Sequence, residues 1–182
     1  MKTLTLLRHA KSTWDDPVAR DFDRPLNRRG RNAARAVGRA MREQGLAFDR
    51  IVASPAARAV ETLAEVATGY GGALVPECDQ RVYLASTETL LDLVRGTDDE
   101  ADRLLLVGHN PGMESLALLL THAGGGGGRR GEIAAKYPTG SLAEISFAAA
   151  SWREIRPGEG RLERFIRPRD LDPELGPDED TE

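Results

Sequence analysis

Short apolar runs alternate with stretches of helical period along the first two-thirds of the 182-residue sequence. The apolar runs predict strands over residues 3–7, 50–53 and 103–107. The amphipathic stretches predict helices over residues 28–44, 55–68, 87–95 and 113–121. Because strand–helix alternation is typical of α/β proteins, we expect a three-layer sandwich in which helices cover both faces of a mostly parallel central sheet.

The last third of the sequence predicts closing strands and an acidic tail. The strands are expected over residues 142–148, 152–155 and 161–166. Five consecutive glycines at 124–128 indicate a flexible loop, since the run lacks the Gly-Lys-Ser/Thr ending of a phosphate-binding loop. Residues 170–182 hold seven acids and no base. We therefore predict one domain over residues 1–168 and a flexible acidic tail over residues 169–182.

Composition excludes several classes of protein. One cysteine excludes an intrachain disulfide framework and multi-cysteine metal sites, and three histidines argue against a histidine-rich metal centre. Arg8 and His9 interrupt the first apolar run far short of the ~20 residues of a membrane span or the ~7–15 of a signal peptide. We expect a cytoplasmic monomer that binds no membrane. We also expect no nucleic-acid binding, since only 5% of residues are aromatic and no recognised module is present.

Polar residues follow the predicted strands. Arg8 and His9 follow the first strand, Ser54 and Arg58 the second, and His109 the third. Because Pro55 follows it, Ser54 is also predicted to be the N-cap of the next helix. The carboxyl ends of parallel strands lie at the same edge of a sheet, where α/β proteins bind their ligands. We therefore expect these side chains to meet in one site.

Two histidines and two arginines at one sheet edge indicate phosphoryl chemistry. A neutral imidazole can attack phosphorus and hold the phosphoryl group as phosphohistidine. Arginine guanidiniums bind phosphoryl oxygens in bidentate pairs and stabilise the charge in transfer, which makes a metal unnecessary. Residues 1–61 carry 13 bases against seven acids, which indicates an anion site or, alternatively, a solvated arginine-rich helix face.

Four segments, in order along the chain, resemble the motifs of the histidine phosphatase superfamily, which has the phosphoglycerate-mutase-like fold. They are Arg8-His9-Ala10, Arg24-Pro25-Leu26-Asn27 with Gly30, Ser54-Pro55 with Arg58 and Thr62, and Gly108-His109-Asn110-Pro111. The resemblance spans about residues 3–167. Because no large insertion separates the motifs, the chain is similar to the small, SixA-type branch of phosphohistidine phosphatases.

The resemblance implies a role for each matched residue. His9 would be the nucleophile, and His109 would contact the phosphoryl group and stabilise the transition state. The arginines that would bind the phosphoryl group are Arg8, Arg24 and Arg58, with Ser12 and Asn27 as further substrate-binding residues. Other roles stay open, because Arg24 could form a surface ion pair with Asp21 or Asp23, and Ser12 and Asn27 could be loop or helix-cap residues.

One position departs from the superfamily pattern. Larger members carry an acid a few residues before a Tyr or Phe in the middle of the chain, whereas here Gln80 stands near that place, ahead of Tyr83. Asp79 and Glu88 are the nearby substitutes for a general acid. Without a general acid, the site is better suited to P–N bonds and to aryl phosphates than to alkyl phosphates.

These features predict a phosphatase that uses no metal or other cofactor and acts through a covalent phosphohistidine intermediate. Its predicted substrate is phosphohistidine on proteins, and the first alternative is a small phosphorylated molecule. A mutase is less favoured, because the insertions that shield a phosphoenzyme from water are missing. The alternative from another class is a non-catalytic module that binds phosphate or a partner, against which the intact set of Arg8, His9, Arg58 and His109 argues.

Overall fold

A single mixed sheet of six strands forms the centre of the computed structural model, which describes residues 1–17, 19–124 and 128–176. The strands are β1 Lys2–Arg8, β2 Arg50–Ala53, β3 Glu77–Cys78, β4 Arg103–Gly108, β5 Leu142–Phe147 and β6 Arg161–Ile166. Their order is β3-β2-β4-β1-β5-β6. The first four in this order run parallel, and β5 pairs antiparallel with both β1 and β6.

Helices cover both faces of this sheet. They are α1 Arg28–Glu43, α2 Ala57–Tyr70, α3 Thr87–Arg95, α4 Gly112–Leu120, α5 Arg129–Ala135 and α6 Pro168–Leu171. Successive residues of a strand point to opposite faces, so Leu104 and Leu106 of β4 pack in the core with α3, α4 and α5. Leu105 and Val107 pack in the second core, with α1 and α2. The structure thus confirms the three-layer α/β fold. None of the helices in the described residues is long and apolar enough to cross a membrane.

Several elements differ from the sequence-based expectations. The strand predicted over residues 152–155 is wrong, because Trp152–Glu154 forms one 3₁₀ turn that the Ser151 side chain caps. Trp152 is buried and donates its indole N–H to the Ala101 carbonyl at 2.6 Å, and Ile155 is buried as well, so the apolar signal comes from core residues at the two ends of a turn. Helix α5 was not predicted, since its seven residues include Gly131 and show little periodicity. Residues 125–127 of the predicted glycine loop lie outside the described residues.

The predicted acidic tail begins with ordered structure. Pro168–Leu171 forms α6 and Pro173–Leu175 forms a 3₁₀ turn. The Arg29 guanidinium of α1 donates to the backbone carbonyls of Glu174, at 2.8 Å, and of Gly176. Residues 169–176 therefore pack on α1 instead of forming a loose tail, because a cation near the start of that helix supplies donors for their carbonyl groups. Residues 177–182 lie outside the described residues.

Candidate active site

The carboxyl ends of β1, β2 and β4 bring two histidines and a serine together. His9 follows β1, Ser54 follows β2 and His109 follows β4. The ring centroids of His9 and His109 lie 5.2 Å apart. Both histidines line a cleft of about 810 Å³, whose wall also includes the other residues singled out from the sequence for catalysis or substrate binding: Arg8, Ser12, Arg24, Asn27 and Arg58.

His9 is held in one tautomer. Its Nδ1 lies 2.7 Å from the carbonyl oxygen of Ala10. Because a carbonyl oxygen only accepts hydrogen bonds, the neutral ring carries its proton on Nδ1 and leaves a lone pair on Nε2. Burial lowers the pKa of His9 to about 3, although the Ala10 hydrogen bond acts to raise it, and nearby positive charges lower it further. At pH 7 the ring is therefore neutral and Nε2 is nucleophilic.

His109 is oriented by a hydroxyl group from the neighbouring strand. Its Nε2 lies 2.7 Å from Ser54 Oγ, while its buried Nδ1 has no hydrogen-bond partner in the described part of the chain. Burial, together with the charge of Arg58, lowers the pKa of His109 to about 4. Ser54 was predicted to cap the helix that follows it. The structure instead begins α2 at Ala57, and Ser54 Oγ accepts the Ala56 N–H at 3.2 Å in addition to its contact with His109.

Asp21 joins the two buried arginines Arg24 and Arg58. Arg58 donates to the Asp21 backbone oxygen at 2.7 Å and to Oδ2 at 3.0 Å. Arg24 donates to the other carboxylate oxygen, Oδ1, at 3.2 Å. The Tyr83 hydroxyl also donates to Oδ2, at 2.5 Å. Although partial burial raises the pKa of Asp21, the hydrogen bonds from Tyr83 and Arg58 and the charges of both arginines lower it to about 2.

Asp21 and Tyr83 were missed as parts of the site. Asp21 entered the sequence analysis only as a surface ion-pair partner for Arg24, and Tyr83 only as a marker for the missing acid. Arg24 does pair with Asp21, but the Arg24 side chain is only 9% exposed and lines the cleft, so the pair holds a residue of the site and not a surface arginine. The Tyr83 ring also meets His109 edge to face, with centroids 5.5 Å apart. The three-residue spacing of Asp21 and Arg24 was the available signal.

Ser12 and Asn27 hold the loop that forms one wall of the cleft. Asn27 caps α1 by accepting the Gly30 N–H at 2.8 Å, as predicted from its position. Ser12 pairs with Leu26 in an isolated β-bridge. A Cβ atom on Gly30 would lie 2.1 Å from the Lys11 carbonyl oxygen. Only glycine therefore lets α1 approach this loop, which explains the glycine in the second motif.

The structure does not bring Asp79 or Glu88 to the site. Asp79 forms an ion pair with Arg81 at 2.7 Å, which lowers its pKa, and lies outside the cleft wall. Gln80 and Glu88 are exposed and also lie outside that wall. Among the described residues that line the cleft, Asp15 is the only one with a carboxylate.

The cleft is strongly cationic. Its described lining residues include eight with cationic side chains: Arg8, Lys11, Arg24, Arg29, Arg58, Lys136, Arg167 and Arg169. Within residues 1–17, 19–124 and 128–176, no three His, Cys, Asp or Glu side chains form a group that could hold a metal ion. A neutral imidazole beside buried guanidiniums is suited to nucleophilic attack on a phosphoryl group, whose oxygens the guanidiniums bind.

Comparison with known sequences indicates one family. The family model described as histidine phosphatase superfamily (branch 1) matches residues 4–83, which include His9, Arg24 and Arg58. An uncharacterized protein of Mycobacterium tuberculosis is 35% identical to this chain, and the match covers 90% of this chain and 100% of that protein.

Two solved structures have the same fold and similar sequences. A protein assigned as the phosphohistidine phosphatase SixA of Nakamurella multipartitia superposes with a TM-score of 0.79 and is 26% identical, over 92% of this chain and 96% of that one. A protein with the same assignment from Agrobacterium tumefaciens superposes with a TM-score of 0.74 and is 29% identical, over 91% of this chain and 97% of that one.

Proposed function

The chain belongs to the histidine phosphatase superfamily and is a phosphatase, and we propose that it forms a covalent phosphohistidine intermediate on His9 and removes phosphate from phosphohistidine on proteins. The observation that carries the proposal is the hydrogen bond from His9 Nδ1 to the Ala10 carbonyl, because it leaves the nucleophilic lone pair on Nε2. The assignment of the two solved structures as phosphohistidine phosphatases supports the substrate class.

Substrate binding uses the cations at the inner end of the cleft, beside His9 and His109. Arg8, Arg24 and Arg58 donate to the phosphoryl oxygens, and His109 contacts the same group. Arg8 already donates from Nη1 to the Tyr137 carbonyl at 2.7 Å, and Arg24 and Arg58 are held by Asp21. Guanidiniums that are fixed before the substrate arrives need little reorganisation when charge develops in the transition state.

The reaction proceeds in two displacements at phosphorus. His9 Nε2 attacks, the new P–N bond forms, and the bond to the leaving group breaks, with its electron pair going to the leaving group. The ring becomes positive in this step, and the proton on Nδ1 stays there, hydrogen-bonded to the Ala10 carbonyl, which stabilises the charge. Water then attacks phosphorus and the P–N bond breaks. The water proton passes to the phosphate, so inorganic phosphate leaves and His9 is neutral again.

The leaving group decides which substrates this site can use. An alkoxide needs a proton donor in the transition state, which is typically worth about 10²–10⁴-fold in rate. The carboxylate that lines the described cleft, Asp15, lies exposed in the loop before α1. The imidazole of a phosphohistidine substrate, already protonated at its other nitrogen, leaves as a neutral base and needs no such donor. This difference favours P–N bonds first, aryl phosphates second and alkyl phosphates last.

Trapping the intermediate tests the nucleophile. With an aryl phosphate, His9→Ala is expected to lower kcat by several orders of magnitude and to abolish acid-labile, base-stable phosphate on the chain. The matched control is His122→Ala, since His122 is exposed and lies outside the cleft wall. A His9→Ala protein that turns over at near the wild-type rate would contradict the mechanism.

A comparison of leaving groups tests the substrate class. We expect kcat/KM to fall in the order phosphohistidine peptide, aryl phosphate, alkyl phosphate. If the alkyl phosphate is hydrolysed as fast as the aryl phosphate, a general acid is present and the case for phosphohistidine fails. Asp15→Asn would then show whether Asp15 supplies the proton, and a phosphatase of small phosphoesters would be the better description.

A further inference from the structure

Trp14 is a large aromatic residue that the fold leaves in contact with water. It is 75% exposed, whereas the second tryptophan of the chain, Trp152, is buried in the core. A ring that stays exposed adds little to the hydrophobic stabilisation of the fold. Trp14 lines the same cleft as His9. Core packing therefore does not account for Trp14, and its contact within the cleft has to be considered instead.

The loop between β1 and α1 places Trp14 beside Arg24. Two segments of this loop run antiparallel, and the Thr13 N–H donates to the Pro25 carbonyl at 3.0 Å. One step further along the first segment and one step back along the second, Trp14 comes opposite Arg24. The guanidinium carbon Cζ of Arg24 lies 3.3 Å from the centre of the Trp14 ring. The guanidinium therefore stacks on the aromatic face, which attracts a cation.

Hydrogen bonds alone hold Arg24 less closely than they hold Arg58. Arg24 donates to Asp21 Oδ1 at 3.2 Å and to the Thr13 carbonyl at 3.4 Å, whereas Arg58 donates to Asp21 at 2.7 and 3.0 Å. The N–H groups of a guanidinium lie in its plane, so hydrogen bonds restrain movement within that plane. The Trp14 ring covers one face of the group and restrains movement out of the plane.

We propose that Trp14 is a positioning residue, which holds the Arg24 guanidinium in the orientation that binds a phosphoryl oxygen. This inference rests on the proposed function for the role of Arg24, but it concerns the binding of any phosphoryl group and not the choice of substrate. A donor that is already oriented needs little reorganisation when it binds phosphate or the transition state. Loss of the ring should therefore weaken both kinds of binding. It should leave the chain folded, because Trp14 is exposed.

Two substitutions at Trp14 test the effect of the ring. Trp14→Leu keeps an apolar side chain and removes the aromatic face, whereas Trp14→Phe keeps such a face. For an aryl phosphate, we expect Trp14→Leu to lower kcat/KM by about tenfold and to raise the inhibition constant of inorganic phosphate by a similar factor, as for loss of a cation–π contact. Trp14→Phe should recover most of this loss.

The matched control is Val75→Ala, since Val75 is an exposed apolar residue outside the cleft wall. It should leave both constants unchanged. Thermal unfolding of each variant shows whether it is folded. A folded Trp14→Leu protein with wild-type constants would overturn the proposal.

A double-variant cycle shows whether Trp14 acts through Arg24. If it does, Trp14→Leu has almost no further effect on either constant once Arg24→Gln is present. The control background is Arg161→Gln, because Arg161 on β6 is 79% exposed and lies outside the cleft wall. There, Trp14→Leu should keep its full effect. Equal losses in the Arg24→Gln and Arg161→Gln backgrounds would contradict the inference.

The same cycle separates failure of this inference from failure of the proposed function. If Arg24→Gln weakens phosphate inhibition and Trp14→Leu does not, only the role of Trp14 is refuted. If Arg24→Gln leaves phosphate inhibition and kcat/KM unchanged, the role of Arg24 in the proposed function is refuted, and the role of Trp14 with it.

Fluorescence tests the contact without turnover. Phosphate bound to Arg24 places negative charge beside the guanidinium that is stacked on Trp14. Tryptophan emission of the full chain should therefore change on addition of inorganic phosphate, and the change should saturate. Trp14→Phe keeps only Trp152, which lies outside the cleft wall, and should lose the change. An emission that stays constant in the wild type, or that still responds in Trp14→Phe, would overturn the proposal. The signal requires neither a covalent intermediate nor a phosphohistidine substrate.

Discussion

The two ends of the cleft use the same kind of side chain in different surroundings. At the inner end, the side chains of Arg58 and Arg24 are 3% and 9% exposed, and Asp21 binds both. At the outer end, Arg29 and Arg169 are half-buried and keep contact with solvent. A buried charge requires nearly ideal partners, whereas a solvated one does not. The inner arginines are therefore fixed by their partners, whereas the outer arginines keep part of their surface in water.

This difference suggests that the inner end acts in the chemical step and the outer end in binding the ligand. Fixed guanidiniums stabilise one geometry, which is what a transition state with a defined phosphoryl group requires. Adaptable surface cations raise the rate of encounter and tolerate variation in the ligand, but they contribute little to the chemical step. Substitutions at the inner end should accordingly change kcat, and substitutions at the outer end should change KM.

The largest effect among the arginines is expected at Arg58. Arg58→Lys removes the planar fork that donates to Asp21 and, as proposed, to the phosphoryl group. Loss of a fixed donor of this kind typically lowers kcat by about 10²–10³-fold. The measurement is kcat for an aryl phosphate, with Arg161→Lys as the surface control. A decrease in kcat of less than about tenfold would show that Arg58 contributes little more to the reaction than an exposed arginine does.

Asp21→Asn tests whether the inner arginines depend on their partner. The substitution keeps the size of the side chain but weakens its hold on Arg24 and Arg58, so we expect a fall in kcat of up to about 10²-fold. Asp23→Asn is the matched control, because Asp23 pairs with the exposed Arg20. An unchanged kcat, in a folded protein, would mean that the arginines keep their positions without the carboxylate.

The pH dependence follows from the lowered pKa values of the two histidines. His9, with a pKa of about 3, and His109, with a pKa of about 4, should both remain neutral at pH 5. Nitrogen NMR should then show the Nδ1–H tautomer of His9, and a protonated His9 at pH 5 would contradict the assignment.

In the unfolded chain both rings titrate near the ordinary value of about 6.5, so the unfolded state binds more protons below that pH. Stability should therefore fall as the pH drops from about 6.5 toward 4.

The smallest effect concerns the chain beyond β6. Ending the chain after Gly176 removes none of the described contacts, and we expect no measurable change in Tm. Ending it after Arg169 removes the carbonyl partners of Arg29 and the turn Pro173–Leu175, and Tm should fall by a few degrees. Thermal unfolding of both proteins makes the comparison. Equal Tm values would show that residues 170–176 do not contribute to the stability of the fold.

The sequence by itself determined the layered fold and the meeting point of the site. Periodicity and turn residues are local signals, and they predicted the strands that end at His9, Ser54 and His109. The cap at Asn27 is also local, since its side chain binds the Gly30 N–H three residues away. The geometry of parallel strands then brings their carboxyl ends to one edge. Even without a structure, this rule places the two histidines and Arg58 together.

Tertiary structure alone decided how those groups are held. Ser54 was expected to cap a helix, but its hydroxyl group contacts a ring 55 residues away. The Tyr83 hydroxyl reaches Asp21 over 62 residues of sequence. Such contacts depend on the distances between packed elements, and neither residue type nor local spacing encodes them. The same holds for the charge states, because the pKa values of His9 and Asp21 depend on burial and on neighbours that only the folded chain supplies.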